Sequence, residues 1–226
     1  MGALAAAGLE VLTLPPLEQF PDSMFVEDPA LVFPEGAILL RPGAPSRVAE
    51  ADALAPLLGG LFDTVLELAE PGFADGGDVL ETLRGIIIGL SGRTDRAGAE
   101  GLAACLAQFG RDSTIVETPA GVLHLKSACS LVDEEAMLCT AALAGSGIFD
   151  GYRTLVTPEG EDAAANALRV NDRLILGSGF PRTAELLASL GIELVTIGSS
   201  EIGKIDAGLS CMSLRWWDSA RAAESG

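Results

Sequence analysis

Residues 76–117, GGDVLETLRGIIIGLSGRTDRAGAEGLAACLAQFGRDSTIVE, decide how this chain folds. VLETL and GIIIGL are short apolar runs joined by a tight turn at Arg84-Gly85, and each reads as a strand. A Gly-rich turn ending in Arg93-Thr94 follows. The next stretch is rich in Ala, Leu and Glu, which is helical composition, with a threonine near its start. STIVE (113–117) closes the unit as a third strand. The same grammar recurs on both sides. Upstream, MFVEDPALVF turns at Pro34-Glu35-Gly36 into GAILLRPGAPSRVAEADALAPLL (36–58) and then DTVLEL (63–68). Downstream, ANALRV turns at Asn171-Asp172 into DRLILGSGFPRTAELLASLG (172–191) and then IELVTI (192–197). Ser46-Arg47, Arg93-Thr94 and Arg182-Thr183 occupy equivalent turns. VLHLKSACSLV followed by DEEAMLCTA (133–141) is a further copy whose helix is degraded.

The ends of the chain extend the pattern. DAGLSCMSLRWW (206–217) reads as the first strand of another copy. MGALAAAGLEVLTLPP reads as the end of a helix, a glycine stop at Gly8, and a strand LEVLTL. About five modules result, with the opening strands of one missing upstream, so the chain looks truncated at its N-terminus. A single module cannot cover its own apolar strands, so the copies must share a core in one ring or stack. The expected class is α+β, one domain over residues 1–218 with no internal linker, and a frayed tail at 219–226.

Composition narrows the function. Of 226 residues, 49% are hydrophobic and 20% charged, which excludes disorder and fibrous repeats. Fourteen basic against 32 acidic side chains give a net charge of −18. Such a surface repels nucleic acid and anionic lipid while admitting cationic small molecules. No stretch approaches the length of a membrane span, and the N-terminal apolar segment lacks the basic region of a signal peptide. Four cysteines without a CxxC pair, beside a single histidine, make neither a disulfide scaffold nor a structural zinc site. Reduced thiols suit a cytoplasmic protein.

Polar residues at or just before the first strand of each module converge if the modules share a centre. They are Asp22, Glu27 and Asp28; Asp75 and Asp78; His124; Asn166; and Asp206 with Cys211. Each has a plainer reading. The acids serve equally as turn or strand-capping groups. A lone histidine among leucines is often only a packed residue, and buried cysteines behave as small apolar side chains. A thiol becomes a nucleophile when an acid/base partner and a polarising charge lie beside it. Carboxylates such as Asp28 and Asp75 would oppose an oxyanion and favour a planar cation, and a guanidinium meets carboxylates through paired hydrogen bonds. Arg47 and Arg93, at equivalent turns, could clamp a carboxylate, or could simply order helix entry. A cationic head and an anionic tail describe an arginine derivative.

FPDSMFVEDP (20–29), RPGAPSR (41–47), DGGDVL (75–80), GLSGRT (89–94), VLHLK (122–126), NDRLILGSGFPRT (171–183) and SEIGKIDAGLSCMSLRW (200–216) together resemble the dimethylarginine dimethylaminohydrolase family of guanidino-group-modifying enzymes, in order and over nearly the whole chain. The resemblance implies a five-bladed ββαβ propeller, the pentein fold, whose first blade is incomplete here. It implies Cys211 as nucleophile, His124 as general acid/base, and Asp75 as the carboxylate that orients the histidine and holds guanidine nitrogen. Asp28 would bind the other guanidine nitrogens. Asp22, Arg47 and Arg93, with Glu27 nearby and the Ile205 backbone, match positions that grip the amino-acid end. The implied reaction releases dimethylamine or methylamine and citrulline from a methylarginine substrate, with no cofactor and no metal. An arginine deiminase-like guanidino hydrolase and a non-catalytic methylarginine-binding protein are the rivals. No nucleic acid or membrane partner is expected. Relatives carry a further strand and a closing loop upstream, and without them an exposed sheet edge invites a homodimer.

Overall fold

The computed structural model describes residues 1–205 and 207–217. Asp206 and the stretch expected to fray, 219–226, lie outside the described residues, as does Asp218.

A short helix α1 (Gly2–Ala6) comes first. The first module is β1 (Ala30–Phe33), β2 (Gly36–Leu39), α2 (Val48–Leu61) and β3 (Val65–Glu67). The second is β4 (Val79–Thr82), β5 (Gly85–Leu90), α3 (Arg96–Gln108) and β6 (Ser113–Glu117). The third is β7 (Cys129–Leu131), β8 (Ala136–Cys139), α4 (Ala141–Ala144) and β9 (Arg153–Val156). The fourth is β10 (Leu168–Val170), β11 (Arg173–Gly177), α5 (Pro181–Ala188) and β12 (Glu193–Ile197), followed by the short α6 (Ser200–Gly203).

Each module forms its own three-stranded sheet, with its second strand in the middle. The hairpins β1–β2, β7–β8 and β10–β11 are antiparallel. The strand after each helix returns parallel, as in Ile86↔Ser113 through Leu90↔Glu117 and Arg173↔Glu193 through Gly177↔Ile197. This topology explains the sequence. A central strand is covered on both faces, so GIIIGL, AMLC and RLILG are continuous apolar runs and do not alternate. The degraded helix of the third module is α4, four residues long.

Two segments depart from the expectation. Neither LEVLTL nor 207–217 forms a strand among the described residues. A strand needs a neighbour for its alternate N–H and C=O groups, and composition alone cannot supply one. Residues 210–212 instead make a 3₁₀ turn. The helix end and glycine stop at the N-terminus are present, with Gly8 at φ +88°.

The described chain groups into two compact units. One contains residues 17–81, 85–117 and 212–217; its core packs Phe33, Ile38 and Ile88 against Leu102 and Leu106 of α3. The other contains residues 1–16, 82–84 and 118–211, with a core of Leu138, Leu174 and Leu176 against Leu187 of α5. In both, the turn entering the helix is fastened alike. Asp78 accepts the hydroxyls of Ser91 (2.6 Å) and Thr94 (2.7 Å). Glu161 accepts the Thr183 hydroxyl and backbone N–H, both at 2.7 Å. Thr94 and Thr183 have no exposed surface. Burial alone would raise the Glu161 pKa, but the Thr183 and Arg182 donors outweigh it and hold this carboxyl below its ordinary value. Asp78 therefore performs the turn-capping duty that the sequence left open. No helix of the described residues is long and apolar enough to cross a membrane.

Candidate functional site

In the unit that contains the first two modules, the acids before β1 and β4 lie on tight backbone. Asp75 is extended (φ −99°, ψ 139°) at the entrance to a 3₁₀ turn, Gly76–Asp78. It is fully buried; its Oδ1 accepts the Gly43 N–H at 2.7 Å, and its own N–H donates to Thr94 Oγ1 at 3.1 Å. The glycines of DGGD are demanded by Asp28 and Glu27. The Gly76 N–H reaches the Asp28 carbonyl (3.1 Å) and the Gly77 N–H reaches Asp28 Oδ1 (3.1 Å). A Cβ on Gly76 would lie 1.9 Å from the Glu27 carbonyl oxygen. Asp75, Asp28 and the buried Glu27 are thus held by one set of backbone contacts.

Arg47 ends the 3₁₀ turn Pro45–Arg47 that leads into α2, and only 5% of it is exposed. Its Nη1 is hydrogen-bonded to Asp28 Oδ2. Its Nε and Nη2 reach Glu50 Oε2 at 3.0 and 2.6 Å, and Nη2 also reaches the carbonyls of Phe25 (2.9 Å) and Asp22 (3.2 Å). Burial acts to lower the Arg47 pKa, yet the Glu50 hydrogen bond and the charges of Asp28 and Glu50 raise it above its ordinary value. Most of its donors are engaged inside the protein. Arg93 contrasts with it: half-buried on the equivalent turn, its guanidinium is uncommitted among the described residues, and only its backbone N–H bonds Ser91 Oγ (2.9 Å). Asp22 is exposed in a turn.

In the other unit, His124 is extended (φ −134°, ψ 151°) before the 3₁₀ turn Leu125–Ser127. Its backbone is fixed by Ser127, whose hydroxyl donates to the His124 carbonyl (2.6 Å) and accepts the His124 N–H (3.0 Å). The residue as a whole is half-buried. Cys211 lies in the 3₁₀ turn Ser210–Met212, and the Gly208 N–H donates to its Sγ at 3.5 Å. Ile205 is exposed just after α6, with its N–H on the Ile202 carbonyl (3.1 Å).

The four thiols divide sharply. Cys105, Cys129 and Cys139 are buried, and Cys211 alone is half-exposed. Burial raises the Cys105 and Cys129 thiols and pushes Cys139 up to about 11, so all three stay protonated and inert near neutrality. Sequence reasoning did not single out Glu50, the second carboxylate on Arg47. Its signal was the three-residue spacing from Arg47 at a helix start.

No protein-family model matches the chain. The chain is 37% identical over 215 residues to the N(G),N(G)-dimethylarginine dimethylaminohydrolase of Pseudomonas aeruginosa, covering 95% of this chain and 84% of that protein. The Pseudomonas aeruginosa enzyme as a cysteine-to-serine mutant complexed with citrulline superposes with a TM-score of 0.91 at 36% identity, over 95% of this chain and 84% of that one. A histidine-to-glycine variant of a dimethylarginine dimethylaminohydrolase, in an adduct with S-methyl-L-thiocitrulline, gives the same TM-score, 0.91, at 36% identity with coverages of 95% and 84%.

Proposed function

The chain belongs to the dimethylarginine dimethylaminohydrolase family, and from that premise we propose that it hydrolyses Nω-methylated arginines to citrulline, releasing dimethylamine or methylamine. The observation that carries this reading is the 37% identity over 95% of the chain to a hydrolase of that name. The chemistry of the residues supports it. Asp28 already accepts a guanidinium in this structure, that of Arg47, in surroundings where an unpaired cation would be costly. Cys211 is the thiol left out of the core, with an N–H on its sulfur.

In the proposed reaction, Asp28 and Asp75 bind the guanidinium nitrogens of the substrate. Its positive charge favours the Cys211 thiolate. The thiolate attacks the central carbon, giving a tetrahedral adduct. His124, as imidazolium, gives its proton to the departing amine nitrogen as the carbon–nitrogen bond breaks, and a thiouronium remains on Cys211. Neutral His124 then takes a proton from water as its oxygen bonds to the same carbon. The carbon–sulfur bond breaks, the hydroxyl proton of the adduct passes to solvent, citrulline leaves, and the thiolate is restored. Asp22, Glu27, Arg93 and the Ile205 backbone serve the amino-acid end. Arg47 joins them while holding Asp28 in place. The same reading makes the four sheets blades of a five-bladed pentein propeller within one catalytic domain over residues 1–218, with residues 2–14, 200–205 and 207–217 contributing to the fifth. Four free thiols support a cytoplasmic setting, and a homodimer is read by light scattering.

The test is colorimetric detection of citrulline from dimethylarginine. Cys211→Ser and His124→Gly are each expected to lower kcat on the order of 10³-fold or more with native circular dichroism. Wild-type rates in either variant would overturn the roles. Faster citrulline release from unmethylated arginine would make the protein a deiminase, and binding without product would make it a binding protein.

A further inference from the structure

We propose that Asn166 is the positioning residue of Cys211, its side-chain amide fixing the backbone that aims the sulfur. Asn166 follows the 3₁₀ turn Asp162–Ala165 and precedes β10, so it is anchored at the edge of a sheet. Its side chain is buried. Oδ1 accepts the Ser210 N–H at 3.0 Å, and Nδ2 donates to Ser210 Oγ at 3.3 Å. Two bonds to one residue fix both the Leu209–Ser210 peptide and the Ser210 side chain, immediately before Cys211. The chain also crosses tightly over the amide at Gly208, where a Cβ would lie 2.0 Å from Asn166 Cγ. From that point the Gly208 N–H turns to Cys211 Sγ at 3.5 Å. The sulfur is thereby referenced from residues 208 and 210, and both rest on the same amide.

The surrounding backbone makes this matter. Residues 207–217 form no strand among the described residues, so no sheet ladder holds the segment. Backbone of that kind opens at low cost unless side chains tie it down. A nucleophile displaced by about 1 Å loses on the order of 10²-fold in rate. Asn166 touches neither substrate nor the reacting atoms in this account. Its effect passes through the position of Cys211, and the inference rests on the nucleophile role proposed above.

The experiment uses the chain as it stands, with Asn166→Ala, Gly208→Ala and the double variant. Asn166→Ala is expected to lower kcat for dimethylarginine about tenfold to a hundredfold, with KM within twofold. Gly208→Ala should do likewise, because its methyl group meets the amide. The double variant should be no slower than the slower single variant, because removing the amide removes the clash. Asn166→Asp, which keeps an acceptor for the Ser210 N–H, should recover part of the loss. Unchanged kcat in Asn166→Ala, a loss confined to KM, or losses that multiply in the double variant would overturn the proposal. Should Asn166→Ala lack native circular dichroism, Ser210→Ala removes the hydroxyl that Asn166 Nδ2 bonds while keeping the backbone bond to Oδ1, and should cost about threefold in kcat; no loss there overturns it equally. Should the wild type release no citrulline, the activity reading fails by itself. The positioning claim then stands or falls on iodoacetamide alkylation of Cys211 at pH 7, expected at least threefold slower in Asn166→Ala as the Gly208 N–H ceases to favour the thiolate, with equal rates overturning it.

Discussion

Replacing Arg47 with methionine tests how the acidic residues before the first strand are held. Arg47, Asp28 and Glu50 are each 5% exposed or less, so their charges have little water to fall back on. Arg47→Met keeps the bulk of the side chain but leaves two buried carboxylates without their cation, and strands the Phe25 carbonyl. Removing one partner of a buried ion pair costs about 3–5 kcal/mol, against a total stability of about 5–15 kcal/mol for a typical domain. For a chain of this length each kcal/mol corresponds to about 2–4 °C, so melting should fall by roughly 6–20 °C at pH 7. Arg47→Lys should recover only part of this, because an ammonium cannot fork between two carboxylates. Calorimetry at pH 7 compares the two variants. An Arg47→Met protein melting within about 2 °C of wild type would refute the reasoning.

The Glu161 carboxyl lies below its ordinary value in the folded protein, so its contribution is present above the unfolded pKa and lost as pH falls through the folded one. Relative to Glu161→Gln, the wild type should be more stable at pH 7 and lose that advantage below about pH 4 in urea titrations. The glycines should divide by what a methyl group meets. Gly76→Ala, with 1.9 Å to the Glu27 carbonyl oxygen, should destabilise by about 2 kcal/mol or more. Gly59→Ala, within α2 and facing open space, should stabilise by about 0.5–1 kcal/mol. The same urea titrations compare the two.

The module grammar was legible because each central strand is covered on both faces and so reads as an unbroken apolar run, and because each helix follows at a fixed place. RTDRAGAE even carries its start: Asp95 caps α3 by accepting the Gly98 N–H at 2.6 Å. What a segment pairs with was not legible. LEVLTL has the composition of a strand and forms none among the described residues. The site residues were legible as types, and their division of labour was not. Asp75 and Asp78 are three residues apart in one motif, yet Asp78 is consumed by Ser91 and Thr94 while Asp75 faces the Gly43 amide. Arg47 and Arg93 occupy equivalent turns and differ only in what surrounds them; Asp28 and Glu50 are brought to one and not the other.

The carboxyl-terminal end of α1 is capped from far along the chain: Asn171 Nδ2 donates to the Ala7 carbonyl at 2.8 Å and Arg173 Nη1 to the Ala6 carbonyl at 2.7 Å. A helix of five residues does not persist unaided in water. During translation residues 2–8 leave the ribosome well ahead of the side chains that receive them, by roughly 10–30 s at ordinary elongation rates. Throughout that interval the segment GALAAAGL has neither of these caps while the first three modules are completed, so α1 is set only once the fourth module is made.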